Sequence, residues 1–277
     1  MYYKLQKNSN QQKGILMAKT LTELYNDHSH FMITAHRGAS FEFPENTHLS
    51  MEKAVEAGAD MIEFDLRGTL DDIPVLLHDE TIDRTSNGKG KPEEYTLSQL
   101  RKFNFSYYLQ GMRRTAPVCE KMEIPTFEEV LVKFRDKAAM NIQVYAKTEK
   151  VLREICRLFK KYDMYDHGYF TIYPENIEAV RAIDKNIELC TTRGWETRSD
   201  PANIRLCKES DNCRFIQPIK KFSTEETYSL IRDLGLRSNV FFSDEPEEIA
   251  MLKEMGAEGL LTNKAHLMCE AVNNMKK

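Results

Sequence analysis

No stretch of this sequence approaches the ~20 consecutive apolar residues that a membrane-spanning helix needs, and the opening MYYKLQKNSNQQKGILMAKT lacks the sustained apolar centre of a secretory signal. Stable membrane insertion is therefore not expected, and a cytoplasmic location is. A dominant charge is missing too: 39 Lys and Arg stand against 43 Asp and Glu, a formal net charge of −4. With both signs interspersed there is no broad basic face, so nucleic acid is not expected as a partner and any anion must be bound locally. The six cysteines, Cys119, Cys156, Cys190, Cys207, Cys213 and Cys269, form no CxxC pair and have no His at zinc-ligand spacing. Buried, reduced thiols are the expectation. No Gly-rich dinucleotide or phosphate loop follows any strand-like run, which weakens a nucleotide-binding reading.

What is present is ordinary in bulk, 41% hydrophobic and 30% charged residues over 277 positions, enough for one large α/β domain. From residue 31 onward short apolar runs of strand character alternate with helix-period segments, the pattern of repeated βα units. Strands are expected at 32–35, 61–66, 74–77, 140–145, 169–172, 187–191, 215–218, 239–242 and 259–261. Helices are expected at 45–57, 126–134, 149–161, 175–183, 224–234 and 246–255. Two of the helices open on a hydroxyl followed by acidic residues, Thr126-Phe127-Glu128-Glu129 and Thr224-Glu225-Glu226, and Gly58, Gly235 and Gly256 follow helical runs as stops. Eight or nine such strands favour a (β/α)8 TIM barrel over residues 28–277, with a doubly wound open sheet as the alternative. Residues 1–27 read as an N-terminal extension that a cap beneath the barrel, a docking arm or a disordered tail would fit equally. The segment 79–118 is too long for a βα loop and reads as an insertion over the C-terminal mouth.

Chemistry concentrates in the first third of the chain. Glu63 and Asp65 are two apart on a strand and so share a face, opposite Ile62, Phe64 and Leu66. Adjacent carboxylates at the end of a barrel strand are costly unless a cation or base pairs with them, and hard oxygen ligands suit Ca²⁺ or Mg²⁺; a solvated acidic strand edge is the alternative. His36 and His78 each end a strand where the catalytic face of a barrel begins, and an unperturbed pKa near ~6.5 lets either act as acid or base. Each alone would more often be a satisfied core or loop histidine; it is the carboxylate strand between them that makes the pair a general base and general acid. Arg37 offers a planar donor fork for a phosphate or an ordinary ion pair. Asn46 either donates to a phosphate oxygen or caps the helix that follows.

HRGAS (36–40), PENT (44–47), EFDLRGTLDDIPVLLHDETIDRTSNGKG (63–90), IPTFEEVL (124–131) and GAEGLLTN (256–263) together resemble the glycerophosphodiester phosphodiesterases, TIM-barrel relatives of the phosphatidylinositol-specific phospholipases C, over about residues 31–266. The resemblance implies cleavage of a small-molecule glycerophosphodiester to glycerol 3-phosphate and an alcohol. It implies His36 and His78 as the acid/base pair, Arg37 as a phosphate contact, and Glu63 and Asp65 as ligands of a divalent cation.

The chain departs from the pattern on a later strand, where the family usually carries Asn-Ile-Glu-x-Lys and this sequence has Gln143 and Tyr145. Gln143 keeps a carbonyl oxygen for the cation but removes a negative charge; Tyr145 keeps a donor but no positive charge. Strand alternation places Lys147 on the same face, one pleat farther out, as a substitute cation. Phe241 stands at the position of the family's late-strand Trp, as an aromatic wall for substrate. Three readings follow: an active diesterase with an altered metal site, a non-catalytic relative that binds a phosphoester, and a transphosphorylase that forms a cyclic phosphate. Self-association into a homo-oligomer is left open.

Overall fold

The computed structural model describes residues 18–275. Its centre is a ring of parallel strands, β1 (Met32–His36), β2 (Met61–Gly68), β3 (Ala139–Val144), β4 (Gly168–Ile172), β5 (Leu189–Thr191), β6 (Phe215–Ile216), β7 (Arg237–Ser238) and β8 (Gly259–Thr262). Each pairs with the next in parallel, β8 returns to β1, and Val240, just past β7, bridges to Leu260 and donates to Gly259 O at 2.8 Å. The ring so closed, with helices between strands, is a (β/α)8 barrel.

Side-chain alternation builds two cores from one set of strands. On β2, Ile62, Phe64 and Leu66 point outward into the large buried layer beneath the helices, while Met61 joins a second cluster inside the barrel. That inner cluster forms the floor. Met32, Met61, Ala139, Tyr169, Cys190 and Phe215 meet Leu21, Leu24 and Tyr25 of α1 (Leu21–Asn26), and the Tyr169 and Phe215 rings stack at 4.2 Å. The described part of the N-terminal extension is thus a plug under the barrel, fixed by a Thr20–Glu23 capping box. Residues 1–17 of that extension lie outside the described residues.

Two strand expectations change. Pro74–Leu76 is antiparallel to the end of β2, pairing Leu66 with Leu76 and Gly68 with Pro74, so it is a hairpin arm and not a barrel strand. The cause is the length of β2, whose eight residues run past the mouth and fold back. The run at 239–242 is reduced to single bridges, Val240 to Leu260 and Phe241 to Ile219, after the short pairing of β7. The expected helix at 45–57 begins only at His48, forming α2 (His48–Ala57) with Thr47 as cap. Neither Pro201–Glu209, whose apolar stripe is thin and buries only Ile204 and Cys207, nor Ala265–Met275 at the end of the described chain, which buries Ala265, Met268, Cys269 and Val272, was among the expected helices. The TFEE signal does cap Phe127–Phe134 through a Thr126–Glu129 box.

The insertion after β2 has its own small core of Val75, Leu77, Ile82, Leu100, Phe105 and Ile124, with a short helix, Leu97–Leu100. All six cysteines are free, five of them buried and Cys119 partly so. Among the described residues no helix is long and apolar enough to cross a membrane.

The turn after β1 is tightly constrained. Gly38 sits at φ +81°, and a Cβ there would lie 2.5 Å from the Ser50 backbone carbon and side chain in α2. Gly38→Ala combines a disfavoured backbone with a clash against main chain, so equilibrium urea unfolding should show a loss of about 2 kcal/mol or more.

Candidate active site

The C-terminal ends of the strands enclose a cavity of about 200 Å³. β1 delivers His36, β2 delivers Glu63 and Asp65, and Gln143 and Tyr145 come from the end of β3. Register makes these residues neighbours: His36 pairs with Glu63 across β1 and β2, and Asp65 with Gln143 across β2 and β3. His78, from the hairpin arm, reaches the same cavity, as do Tyr173, Gln217 and Phe241. The five sequence-expected groups His36, Arg37, Glu63, Asp65 and His78 therefore converge.

The two carboxylates are almost wholly buried, Glu63 4% and Asp65 1% exposed. Glu63 Oε2 accepts from the Arg37 backbone N–H at 2.9 Å and lies 4.0 Å from His36 Nε2. Asp65 Oδ2 accepts from Asn46 Nδ2 at 2.8 Å and is 3.2 Å from Arg37 Nε. Oε1 and Oδ1 take no part in these contacts and keep their lone pairs. Burial and the charge of Asp65 push the Glu63 carboxyl well above its usual range, the signature of negative charge without enough positive charge beside it.

Both histidines are held through Nδ1. Asn263 Nδ2 donates to Asp244 Oδ2 at 2.9 Å, which turns its amide oxygen toward His36 Nδ1, 2.8 Å away. An amide oxygen only accepts, so Nδ1 carries the hydrogen and Nε2, on the cavity side, carries the lone pair. Burial, and then the charge of Arg37, push the His36 imidazole down to about 4, so at neutral pH it is uncharged. His78 Nδ1 pairs with Asp79 Oδ1 at 2.7 Å, and Arg67 clasps the His78 backbone oxygen with two hydrogen bonds, 2.9 and 2.7 Å.

A chain of alternating charge ties the insertion to the barrel. Arg37 Nη1 donates to Glu45 Oε1 at 3.0 Å; Arg84, from the insertion, donates to both Glu45 oxygens at 2.7 and 2.8 Å and to Asp79 at 2.6 and 2.9 Å. Burial opposes the charge on Glu45, but Arg84 and Arg37 outweigh it and hold its carboxyl below the usual range. Asp79, Arg84 and Glu45 thus run from His78 to Arg37.

Two expected placements are corrected. Asn46 neither caps α2, which Thr47 does, nor points freely at substrate: at φ +55° its amide donates to Asp65 Oδ2 and accepts from Asp65 N at 3.2 Å, orienting that carboxylate. Lys147 does not enter the cavity, because β3 ends at Val144 and the strand alternation lapses there; its ammonium pairs with Glu80 at 2.7 Å in an adjoining groove. Tyr145 packs edge-on against His78 at 5.6 Å and under Arg67 at 4.9 Å. Burial and the charge of Asp65 push its phenol up, leaving it a neutral donor. Phe241 does form an aromatic wall, its ring edge-on to His36 at 5.5 Å and to Trp195 at 5.4 Å.

Sequence reasoning missed Asn263, Glu45, Arg84, Trp195 and Arg198. Asn263 had a signal, as the first residue past a barrel strand; the chain's single Trp and Arg198 lie on the loop after β5, where no pattern marks them.

Comparison with known proteins meets this geometry. Residues 36–267 match the model of the glycerophosphoryl diester phosphodiesterase family. A glycerophosphodiester phosphodiesterase of Bacillus subtilis is 38% identical over 246 residues, covering 84% of this chain and 83% of that protein. Human glycerophosphodiester phosphodiesterase 1 is 31% identical over 165 residues, 58% of this chain and about half, 49%, of the human protein. A phosphodiesterase from Oleispira antarctica, solved with the product sn-glycerol-3-phosphate, has the same fold at TM-score 0.71 and 19% identity, over 88% of this chain and 97% of that one.

Proposed function

Because the chain belongs to the glycerophosphoryl diester phosphodiesterase family, we propose that it hydrolyses small glycerophosphodiesters to glycerol 3-phosphate and an alcohol in the cavity at the barrel mouth. The observation that carries this reading is the placement of two Nδ1-anchored histidines, His36 and His78, at a cavity with two buried carboxylates, Glu63 and Asp65.

Those carboxylates fit a divalent cation. Glu63, Asp65 and the Gln143 amide oxygen would hold it, a set of hard oxygens suited to Ca²⁺ or Mg²⁺. Bound there, the cation would withdraw charge from the phosphoryl oxygens. The set is thin. Among the described residues no three or more His, Cys, Asp and Glu side chains are grouped to hold a metal, and Gln143 is where the third charge would stand. Gln143→Glu should tighten Mg²⁺ or Ca²⁺ binding roughly tenfold or more in calorimetric titration; unchanged affinity removes residue 143 from the site.

The remaining work falls to the chain's own side chains. His36, neutral with Nε2 unprotonated, is the general base that takes the proton of the attacking hydroxyl or water. His78, its Nδ1–H held by Asp79, is the acid that protonates the departing alkoxide from Nε2. Arg37 shares the phosphate's charge from its place between Asp65 and Glu45, and Tyr145 donates one neutral hydrogen bond. Phe241 and Trp195 form an apolar wall for the carbon skeleton.

Glycerophosphocholine incubated with the protein, with added Mg²⁺ or Ca²⁺ and with chelator, tests the reading. Metal-dependent release of glycerol 3-phosphate is expected. A cyclic glycerophosphate as end product points instead to transphosphorylation, and binding without turnover to a non-catalytic relative.

A further inference from the structure

Among the described residues, every cation near the cavity but one is already matched. Arg37 faces Asp65 and Glu45, Arg84 faces Glu45 and Asp79, Arg193 faces Asp211, and Lys147 faces Glu80. Arg198 is the exception. Carried on the loop between β5 and the Pro201–Glu209 helix, it lines the same cavity as His36, Glu63 and Asp65. Its Nε is buried and makes no hydrogen bond among the described residues. Its guanidinium lies about 6 Å from two aromatic rings, 5.9 Å from Trp195 and 6.0 Å from Phe241.

Arg198 is half-buried, and a guanidinium partly withdrawn from water is costly without an anion, a cost that aromatic faces offset only in part. Burial pulls Arg198 below the ordinary range of an arginine, and its electrostatic neighbours are Cys190, Tyr145 and Tyr173, with no Asp or Glu among them. Structural arginines in this protein are satisfied by carboxylates or backbone oxygens, as Arg67 is by the His78 carbonyl. Arg198 is satisfied by neither, yet it faces a cavity where Tyr145 supplies no charge and Lys147 is turned away.

We propose that Arg198 is a phosphate-binding residue of the site, supplying from the β5 loop the cationic contact to the diester's non-bridging oxygens that the end of β3 does not provide. The assignment rests on the phosphodiesterase reading above. It makes the loop a part of the reaction site, with Trp195 and Arg198 presenting an apolar wall and an anion contact side by side. A planar fork there contacts two phosphoryl oxygens at once, which an ammonium does not.

The test compares wild type, R198Q and R198K in three measurements: kcat and KM for glycerophosphocholine, binding of glycerol 3-phosphate by calorimetry, and Tm. R198Q should lose about 100-fold in kcat/KM, weaken glycerol 3-phosphate binding about tenfold or more, and keep or raise Tm because an unmatched, half-buried charge is gone. R198K should recover part of the binding. R198Q with kcat/KM and binding both within about threefold of wild type overturns the assignment. So does a fall in Tm with unchanged affinity for glycerol 3-phosphate, which marks a structural arginine. If wild type shows no turnover, the phosphodiesterase reading fails by itself, and calorimetry still decides Arg198: weaker binding in R198Q supports the phosphate contact, and equal binding removes it.

Discussion

His36→Ala should lower kcat/KM for a glycerophosphodiester by about 10²–10⁴-fold, the range expected for loss of a positioned general base. The size follows from how completely the imidazole is prepared. Asp244 fixes the Asn263 amide, the amide oxygen fixes the Nδ1–H tautomer, and burial with Arg37 beside it keeps the ring neutral. No reorganisation is then needed before Nε2 accepts a proton. Asn263→Leu should give a smaller loss, since it frees the tautomer and leaves the ring in place. Steady-state kinetics on both variants, with circular dichroism to establish folding, makes the check. A loss of less than about tenfold in His36→Ala would remove the imidazole from the chemistry.

Glu45→Ala should be the most damaging substitution for stability, costing about 3–5 kcal/mol, the usual penalty for breaking a buried charge network by removing one member. Glu45 is the shared partner of Arg37 and Arg84, so its loss leaves two guanidiniums undercompensated at once, Arg37 with only Asp65 beside it. It also cuts the link between the barrel and the insertion, since Arg84 would retain only Asp79. Urea unfolding reads the first effect, and limited proteolysis within residues 79–118 the second. Glu45→Gln keeps both acceptor geometry and volume in part and should cost less. A change under about 1 kcal/mol for Glu45→Ala would mean that Arg37 and Arg84 are hydrated rather than matched.

Much of the barrel was legible because its signals are local. Alternation on β2 separates Glu63 and Asp65 from Ile62, Phe64 and Leu66 without knowledge of any neighbour, and the TFEE cap starts its helix where expected. The half-site at His36, Arg37, Glu63, Asp65 and His78 was legible for the same reason: His36 and Arg37 lie at the end of β1, Glu63 and Asp65 alternate along β2, and His78 follows the hairpin arm by two residues.

What was hidden depends on where the chain goes after a strand stops. Lys147 was placed by extending β3 three residues beyond its end at Val144, and the true exit carries it to Glu80. Asn46 looked like a donor to substrate because nothing local shows Asp65 waiting beside it. Asn263 is 227 positions from His36, and only closure of the ring brings them together. Trp195 and Arg198 sit on a loop with no periodicity, so their convergence on Phe241 was beyond pattern reading.

The central claim is that a site with Gln143 and Tyr145 in place of a carboxylate and a cation still turns over a phosphodiester. Phosphorus NMR of glycerophosphocholine mixed with the wild-type protein tests it most directly, first with Mg²⁺ or Ca²⁺ and then after chelator. The account predicts that the diester signal gives way to that of glycerol 3-phosphate with metal and persists with chelator. A diester signal that stays unchanged under every metal condition, with the protein folded, would contradict it.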